Sequence, residues 1–346
     1  MKILAVGDSY MPSRFYRRAF AGLEARHDVA YLDLDPSRRF DARTESERTL
    51  REHQGDPAEL VAEMAGVEVL AVQGAPVTEE VLDASGSLRL VACARGGPVN
   101  VDTRAATARG IPVVTTPGKN AEAVADLTIA FVVLLARRLL AGARHVVDEG
   151  ELPDNWVGAS FMGRDLRGLV LGLVGFGQVG QRVARRAAAF SMRVLAYDPY
   201  VLPERMPELV EPVAFEELLA RSDVVSLHAR STPDNIGLFG AAVLASMRPG
   251  AFLVNTARET LVDEAALDEA LASGHLGGAA LDVVNIGPPG PPPRLLRHPN
   301  VVVTPHLGGA TEETLLQGGE MIAAEIERFE RHEPLRHVAN PEVTAQ

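Results

Sequence analysis

Cysteine and aromatic residues are scarce in this chain. Of its 346 residues, one is cysteine and one is tryptophan, and aromatic residues make up 5%. With Cys93 alone, the chain cannot form an internal disulfide or a zinc site built from several cysteines. Cys93 lies in an apolar stretch, so we expect a buried thiol and a reducing, cytoplasmic compartment.

The chain also lacks long apolar runs and an excess of basic residues. The longest apolar run, residues 127–136, is too short to span a bilayer. Lys and Arg together number 34 and Asp and Glu 46, which gives a net charge of −12. This balance argues against a general nucleic-acid or membrane-surface binder. The N-terminus reaches Asp8 too early to resemble a signal peptide.

Short apolar runs alternate with helical patterns along the whole chain. Such runs are typical of parallel strands that helices cover on both faces. We predict strands at residues 2–6, 29–34, 67–73, 88–93, 111–115, 170–174, 193–197, 224–227, 252–255, 278–281 and 301–303. We expect one long helix from residue 121 to 147, with Asn120 as its N-cap, and a final helix over residues 311–330.

This alternation predicts an α/β fold with two doubly wound parallel sheets. The expected domains are residues 1–117 plus 308–346 and residues 118–307, and a ligand is expected in a cleft between them. The polar segment 36–57 is interpreted as a loop or an exposed helix.

A glycine-rich turn follows the apolar strand 169–174 and predicts a dinucleotide site. Its residues are Gly175, Phe176, Gly177, Gln178, Val179 and Gly180. The first glycine allows a tight turn, the second lets the backbone approach a pyrophosphate, and the third allows close helix packing. Asp198 ends the next strand 23 residues after Gly175. Its carboxylate would accept hydrogen bonds from ribose hydroxyls, which favours NAD over NADP.

Several segments resemble the D-isomer-specific 2-hydroxyacid dehydrogenase family, which includes D-3-phosphoglycerate dehydrogenases. They are MRPGAFLVNTAR (247–258), VD (262–263), AL (270–271), AALDV (279–283), NVVVTPHLGG (300–309), NVD (100–102) and RGIPV (109–113). The resemblance covers residue 60 to the end. It implies a flavodoxin-like substrate domain, a Rossmann NAD domain and a homodimer.

The resemblance also implies roles for individual residues. Arg258 would bind and polarise the substrate, since a guanidinium fork matches a carboxylate. His306 would move the proton, since an imidazole can both accept and donate near neutrality. The backbone of Gly96 and Gly97 would hold the substrate carboxylate. Arg95 either adds a cation there or forms an ion pair at the domain edge.

Further cofactor contacts are implied by the resemblance at Thr256, Ala257 and Asp282. His228 matches a cofactor-side position of the family and is otherwise a structural histidine. Arg230 stands where the family has proline, and it brings a cation near the cofactor. No metal is expected.

One departure affects the chemistry. The resemblance implies a glutamate that pairs with the catalytic histidine, but the residue at that position is Gly287. Glu259, Glu312 or Glu313 substitutes for it, or His306 works without an acidic partner and reduction has a more acidic pH optimum, or activity has been lost.

The sequence therefore predicts an NAD-dependent oxidoreductase that acts on a small D-2-hydroxy acid or its 2-oxo form. The alternative is an NAD(H)-sensing binding protein with little turnover, related to corepressors of this family.

Overall fold

The computed structural model describes residues 1–38, 40–150, 161–285 and 293–344. The chain divides into two compact units, Met1–Lys119 with Thr311–Gln346 and Asn120–Ala310, called here the first and second units. Each unit contains one sheet, and all pairings between the strands named below are parallel. The predicted α/β class with two parallel-sheet domains is confirmed.

The first unit is a five-stranded sheet with helices between its strands. Its elements are β1 (Lys2–Gly7), α1 (Ser13–Ala19), α2 (Ala21–Glu24), β2 (Asp28–Asp33), α3 (Glu45–Thr49), α4 (Pro57–Glu63), β3 (Val69–Val72), α5 (Glu79–Asp83), β4 (Leu90–Cys93), α6 (Thr103–Ala108) and β5 (Val113–Val114). The strand order β2-β1-β3-β4-β5 is that of flavodoxin-like sheets. The segment 36–57 contains the short helix α3, which has no buried residue.

The second unit is a seven-stranded sheet. Its elements are α7 (Ala121–Ala136), α8 (Leu139–Glu149), β6 (Val170–Val174), α9 (Gln178–Ala189), β7 (Arg193–Tyr197), β8 (Val210–Pro212), α10 (Phe215–Arg221), β9 (Val224–Leu227), α11 (Ala241–Ser246), β10 (Phe252–Asn255), α12 (Glu264–Ala272), β11 (Gly278–Leu281) and β12 (Val301–Val303). The order β12-β11-β10-β9-β6-β7-β8 is that of a Rossmann sheet with one further strand. The chain then returns to the first unit with α13 (Glu312–Glu330).

Both faces of each sheet are buried, which explains the unbroken apolar runs. In the first unit, Leu4 and Val6 of β1 pack into one apolar cluster, while Ile3 and Ala5 pack into another. The second unit has the same division between two clusters. Cys93 is fully buried, as predicted, and burial raises the pKa of its thiol to about 12.

Two predictions about the second unit are wrong. The expected long helix is broken into α7 and α8, because Arg138 adopts a left-handed conformation with φ +52°. The amide of Arg164 donates to the carbonyl of Ala136 at 2.7 Å, so a distant segment caps α7. The sheet has seven strands rather than six. The missed strand β8 is three residues long and contains Pro212, which sheets tolerate at an edge.

Asn120 precedes α7 as predicted, but its side chain makes no capping hydrogen bond. Among the helices that the structure describes, none has the length and apolar character needed to cross a membrane.

The segment after α13 completes the first sheet. Val338 pairs antiparallel with Val114 of the edge strand β5. The side chain of Asn340 accepts from the amide of Val113 at 2.8 Å and donates to the carbonyl of Ile111 at 3.0 Å. Its amide group also donates to the hydroxyl of Thr107 at 3.0 Å. One buried side chain thus fixes the start of the short strand.

We predict that Asn340→Ala lowers the free energy of unfolding by about 3 kcal/mol, because it leaves a buried amide and a buried carbonyl unsatisfied. Urea unfolding measures the loss. Thr344→Ala is the control, since exposed Thr344 makes only a local hydrogen bond to Pro341. Equal stability of the two variants would contradict the role of Asn340.

Candidate active site

All the site residues predicted in the second unit lie at the carboxyl edge of its sheet. Gly175 follows β6, Asp198 follows β7 and His228 follows β9, whereas Thr256, Ala257 and Arg258 follow β10, Asp282 follows β11 and His306 lies just beyond β12. The strand order reverses between β6 and β9. In open α/β sheets, ligands bind outside the carboxyl ends of strands at such a reversal.

The glycine-rich turn is shaped for a close approach to its neighbours. Gly175 has φ +97°, and a Cβ there would lie 2.7 Å from the amide nitrogen of Ala229. A Cβ on Gly180 would lie 2.4 Å from the carbonyl oxygen of Gly175. The space around Gly177, the N-cap of α9, is open. A phosphate can therefore approach the amides of Gln178 and Val179 at the start of this helix.

Asp198 lies beside this turn. One of its carboxylate oxygens accepts from the amide of Phe176 at 2.7 Å, and the other accepts from the amide of Tyr200 at 2.9 Å. A carboxylate has about four acceptor positions, so Asp198 keeps capacity for ribose hydroxyls.

His228 lies next to the glycine turn, directly after strand β9, which flanks the reversal of strand order. Its amide donates to the carbonyl of Val174 at 2.8 Å, and its Nε2 lies 3.0 Å from the hydroxyl of Ser226. Burial lowers the pKa of His228 to about 3. The imidazole is therefore neutral at physiological pH and contributes no positive charge to the edge.

The turn after β10 presents Arg258. The buried side chain of Asn255 accepts from the amide of Ala257 at 3.0 Å and donates to the carbonyl of Arg258 at 2.8 Å. The guanidinium donates to the carbonyl of Ala257 at 2.7 Å and is otherwise exposed. The hydroxyl of Thr256 lies 3.0 Å from that of Thr128 on α7, which ties the turn to the helix.

Asp282 holds the loop that carries His306. Its carboxylate accepts from the hydroxyl of Thr304 at 2.6 Å and from the amides of Leu307 and Gly308, both at 2.7 Å. Its carbonyl accepts from the amide of His306 at 3.0 Å. His306 adopts a left-handed conformation with φ +57°, which for such a residue is uncommon and is found where the surroundings impose it.

The side chains of Arg258 and His306 have no acidic partner within the described part of the second unit. No carboxylate there forms an ion pair or a hydrogen bond with either group. Gly287, where the family has its glutamate, lies outside the described residues. Nor does any carboxylate among those residues pair with the guanidinium of Arg230, which is exposed.

In the first unit, Gly96 and Gly97 follow β4 and are exposed. Neither has φ in the left-handed region, so the alternating backbone of an anion-binding nest is not formed here. No described residue accepts a hydrogen bond from either amide, and both remain available to a ligand.

Arg95 forms the ion pair that the sequence left as an alternative. Its guanidinium contacts the carboxylate of Glu52 and donates to the carbonyl of Glu52 at 2.8 Å. Glu52 belongs to the polar segment 36–57, which reaches the carboxyl edge of the first sheet. A role of Arg95 in substrate binding stays a prediction. Within the described ranges, no group of three or more His, Cys, Asp or Glu side chains is placed to hold a metal ion.

Comparison with known proteins identifies the family. Residues 129–308 match the family described as D-isomer specific 2-hydroxyacid dehydrogenase, NAD binding domain. The chain is 40% identical over 269 residues to a glyoxylate reductase of Korarchaeum cryptofilum, covering 78% of this chain and 81% of that protein. The chain belongs to the D-isomer specific 2-hydroxyacid dehydrogenase family.

Two further comparisons show how much of each similar protein this chain covers. A D-3-phosphoglycerate dehydrogenase of Archaeoglobus fulgidus is 41% identical over 284 residues, which cover 82% of this chain but 53% of that protein. The chain thus spans about half the length of the D-3-phosphoglycerate dehydrogenases that it matches. The crystal structure of the TT0316 protein of Thermus thermophilus superimposes with a TM-score of 0.75 at 35% identity, covering 98% of this chain and all of that one.

The matched region identifies NAD as the cofactor of the second unit of this family member. The residues present fit it, since Gly177 leaves open space at the start of α9 and Asp198 keeps acceptor capacity beside the turn. Sequence reasoning missed Asn255 and Thr304, which hold the two loops. Each is a polar residue at the end of an apolar strand, and this pattern could have indicated their role.

We predict that Asp282→Asn lowers the free energy of unfolding by about 2 kcal/mol, because an amide cannot accept all the hydrogen bonds that the carboxylate accepts. Amide hydrogen exchange should accelerate at Leu307 and Gly308. Thr304→Val, which removes one of these hydrogen bonds, should cost about 1 kcal/mol. Unchanged exchange at both amides in Asp282→Asn would contradict this account of the loop.

We also predict that His228 makes stability depend on pH. Its pKa is about 3 in the folded chain and about 6.5 when unfolded. Below pH 6.5 the imidazole takes up a proton in the unfolded state but stays neutral in the folded state. The free energy of unfolding therefore falls as pH falls, by up to about 1.4 kcal/mol per pH unit. In His228→Gln this part of the slope should disappear. His332→Gln, at an exposed position, is the control and should keep the slope.

Proposed function

We propose that the protein is an NAD-dependent oxidoreductase that interconverts a small D-2-hydroxy acid and its 2-oxo acid. The observation that carries this proposal is the pair of exposed side chains, Arg258 and His306, at strand ends on either side of Asp282. The chain belongs to a family of 2-hydroxyacid dehydrogenases, and neither side chain has a carboxylate partner in the described part of the second unit.

Arg258 would bind the substrate. Its guanidinium can donate two parallel hydrogen bonds to the carboxylate, or one to the carboxylate and one to the C2 oxygen. The second arrangement polarises the C2 carbonyl and stabilises the negative charge that develops on its oxygen during reduction. Because Asn255 fixes the turn, the backbone that carries the guanidinium is in place before a substrate binds.

His306 would move the proton. In oxidation, the imidazole accepts the proton of the C2 hydroxyl, and in reduction it returns a proton to the C2 oxygen. The left-handed backbone at His306 and the hydrogen bonds that Asp282 accepts from Leu307 and Gly308 orient the loop that carries the imidazole. Asp282 would thereby act through His306 as well as through the cofactor contact that the family resemblance implies.

The cofactor would be held by the glycine turn and the strand ends around it. The amides of Gln178 and Val179 face the open space at Gly177 for the pyrophosphate, and Asp198 would accept from the ribose hydroxyls. A phosphate on the ribose would meet this carboxylate, which favours NAD over NADP. Thr256, Ala257 and His228 would line the nicotinamide side. The chemistry supplied by bound NAD is acceptance of the C2 hydride, or its return in the reverse direction.

The first unit would act as the substrate domain. The free amides of Gly96 and Gly97 offer two donors to the substrate carboxylate.

A homodimer is also part of the proposal, and the exposed Leu139 and Val147 of α8 supply apolar surface for it. A cytoplasmic location is proposed from the unpaired, buried Cys93. The NAD(H)-sensor alternative gains no support from the relatives, which are named as dehydrogenases and reductases.

We predict that the protein oxidises NADH with glyoxylate, pyruvate or hydroxypyruvate, as followed by absorbance. His306→Gln should lower kcat by about 10²- to 10⁴-fold, the contribution of a general acid, with NADH affinity retained. Arg258→Gln should lower kcat/KM by about 10²-fold, because a charge-assisted pair of hydrogen bonds is lost.

The opposite ends of the same strands provide matched controls. Arg248 precedes β10 and pairs with Asp223 at 3.0 Å, and His298 precedes β12 and pairs with Asp268 at 2.8 Å. Arg248→Gln and His298→Gln should leave turnover within about twofold of wild type. NADH binding without turnover on the whole panel would overturn the proposal and favour the sensor.

A further inference from the structure

Lysine is nearly absent from this chain, and one of its two lysines is buried. Of the 34 basic residues, 32 are arginine, and the lysines are Lys2 and Lys119. Lys2 lies at the start of β1, and its ammonium donates to the carbonyl of Ala65 at 2.7 Å. Lys119 is 8% exposed. A residue type that is otherwise replaced by arginine is thus kept at an interior position.

Lys119 lies at the carboxyl edge of the first sheet, six residues after the start of β5. Its side chain runs along α13, where a Cβ on Gly318 would lie 3.0 Å from Cδ and 3.3 Å from Nζ of the lysine. The absence of a side chain at Gly318 therefore leaves the slot that the lysine fills. The amide of Thr116 donates to the carbonyl of Arg95 at 2.8 Å, so the lysine segment runs beside the Gly96–Gly97 loop.

The ammonium of Lys119 has no hydrogen-bond partner among the described residues, although it is buried. The same holds for the hydroxyls of Thr116 and Tyr16 in this unit. Buried polar groups in proteins are hydrogen-bonded as a rule, and burial of an unpaired charge is strongly unfavourable. These unpaired groups all have a proton to donate, and no described acceptor takes it.

The carboxylate of Asp8 lies near enough to act on the charge of Lys119 but forms no hydrogen bond with it. Asp8, after β1, accepts from the amides of Tyr10 and Met11, both at 2.8 Å, and from the amide of Gly74 after β3 at 2.6 Å. It thus ties the two strands at which the flavodoxin-like order reverses, where such sheets bind ligands. Cys93 and Arg95 also lie near enough to affect Lys119, and burial lowers the pKa of the lysine to about 8.

We propose that Lys119 is a specificity-determining residue that binds a second anionic group, at the end of the substrate remote from its 2-oxo acid carboxylate. The proposal rests on the proposed function for the position of the reacting end, because Gly96 and Gly97 take that carboxylate. A carboxylate or a phosphate supplies the acceptor oxygen that the Lys119 ammonium lacks. Substrates with a neutral side chain leave this donor unpaired and are disfavoured.

The kinetic test compares substrates that differ only at the remote end. Oxaloacetate and 2-oxobutyrate share a carbon chain, as do phosphonooxypyruvate and hydroxypyruvate apart from the phosphate. For wild type, we expect the anionic member of at least one pair to have the higher kcat/KM. Lys119→Met should lower that preference by about 10- to 100-fold, chiefly through KM. The pair that responds shows whether the group is a carboxylate or a phosphate.

Lys2→Met is the matched control and should leave the preference unchanged. The melting temperature of Lys119→Met should equal or exceed that of wild type, because the substitution removes a buried unpaired charge. A variant that loses activity equally on charged and neutral substrates would overturn the proposal, as would a wild type that prefers neutral ones.

Ligand binding provides a readout that does not need turnover. With lysine labelled by carbon-13 at Cε, the chain gives two lysine signals, which Lys2→Arg assigns. Oxaloacetate or phosphonooxypyruvate added to the His306→Gln variant should raise the pKa of Lys119 by about 1 to 3, since a nearby anion favours the charged form, whereas 2-oxobutyrate should not. If no acid is turned over but this shift occurs, the proposed function fails and the Lys119 site stands. If an acid is turned over and the shift is absent, the proposed function stands and the Lys119 site fails.

Discussion

The candidate site of the second unit depends on a chain of hydrogen bonds that joins three neighbouring strand ends. The side chain of Asn255 donates to the carbonyl of Arg258, the amide of Asp282 donates to the carbonyl of Asn255, and the amide of His306 donates to the carbonyl of Asp282. The backbone positions of Arg258 and His306 are therefore fixed by buried groups, while both side chains stay exposed. Such an arrangement places the backbone of both residues before a substrate arrives, so binding has to order only their side chains.

The local hydrophobic pattern of the sequence predicted most of the strands. A parallel strand buried on both faces must be apolar at successive positions, and the bounds of β6, β7, β9, β10, β11 and β12 agree with the predicted runs. The end of α7 and the strand β8 were not predicted, because each depends on a contact with a segment that is distant in the sequence. α7 ends where Arg164, far along the chain, binds the carbonyl of Ala136, and nothing near Arg138 signals this contact. β8 is short, and its pairing with β7 rather than its composition makes it a strand.

The glycines of the site could be predicted from the sequence because the backbone there requires that residue type. Gly175 and Gly180 meet neighbouring backbone at distances that exclude a Cβ, and that requirement appears in the sequence as glycine. The partner of Arg95 was not readable, since Glu52 lies 43 positions earlier and meets it only because segment 36–57 returns to the sheet edge. Likewise, the donors that surround Asp282 come from a loop whose proximity depends on the order of strands β11 and β12.

The two units share one arrangement at the carboxyl edges of their sheets. In each, a buried carboxylate accepts backbone amides and ties segments that follow strands: Asp8 accepts from Tyr10, Met11 and Gly74, and Asp282 accepts from Leu307 and Gly308. Neither Asp8 nor Asp282 forms an ion pair with a described cation of its unit. At that edge, the described part of the first unit has Lys119 without a carboxylate partner, and the described part of the second unit has Arg230 and Arg258. A chain with a net charge of −12 repels small anions in general, so these edges are the places where a local positive field can draw an anionic substrate in.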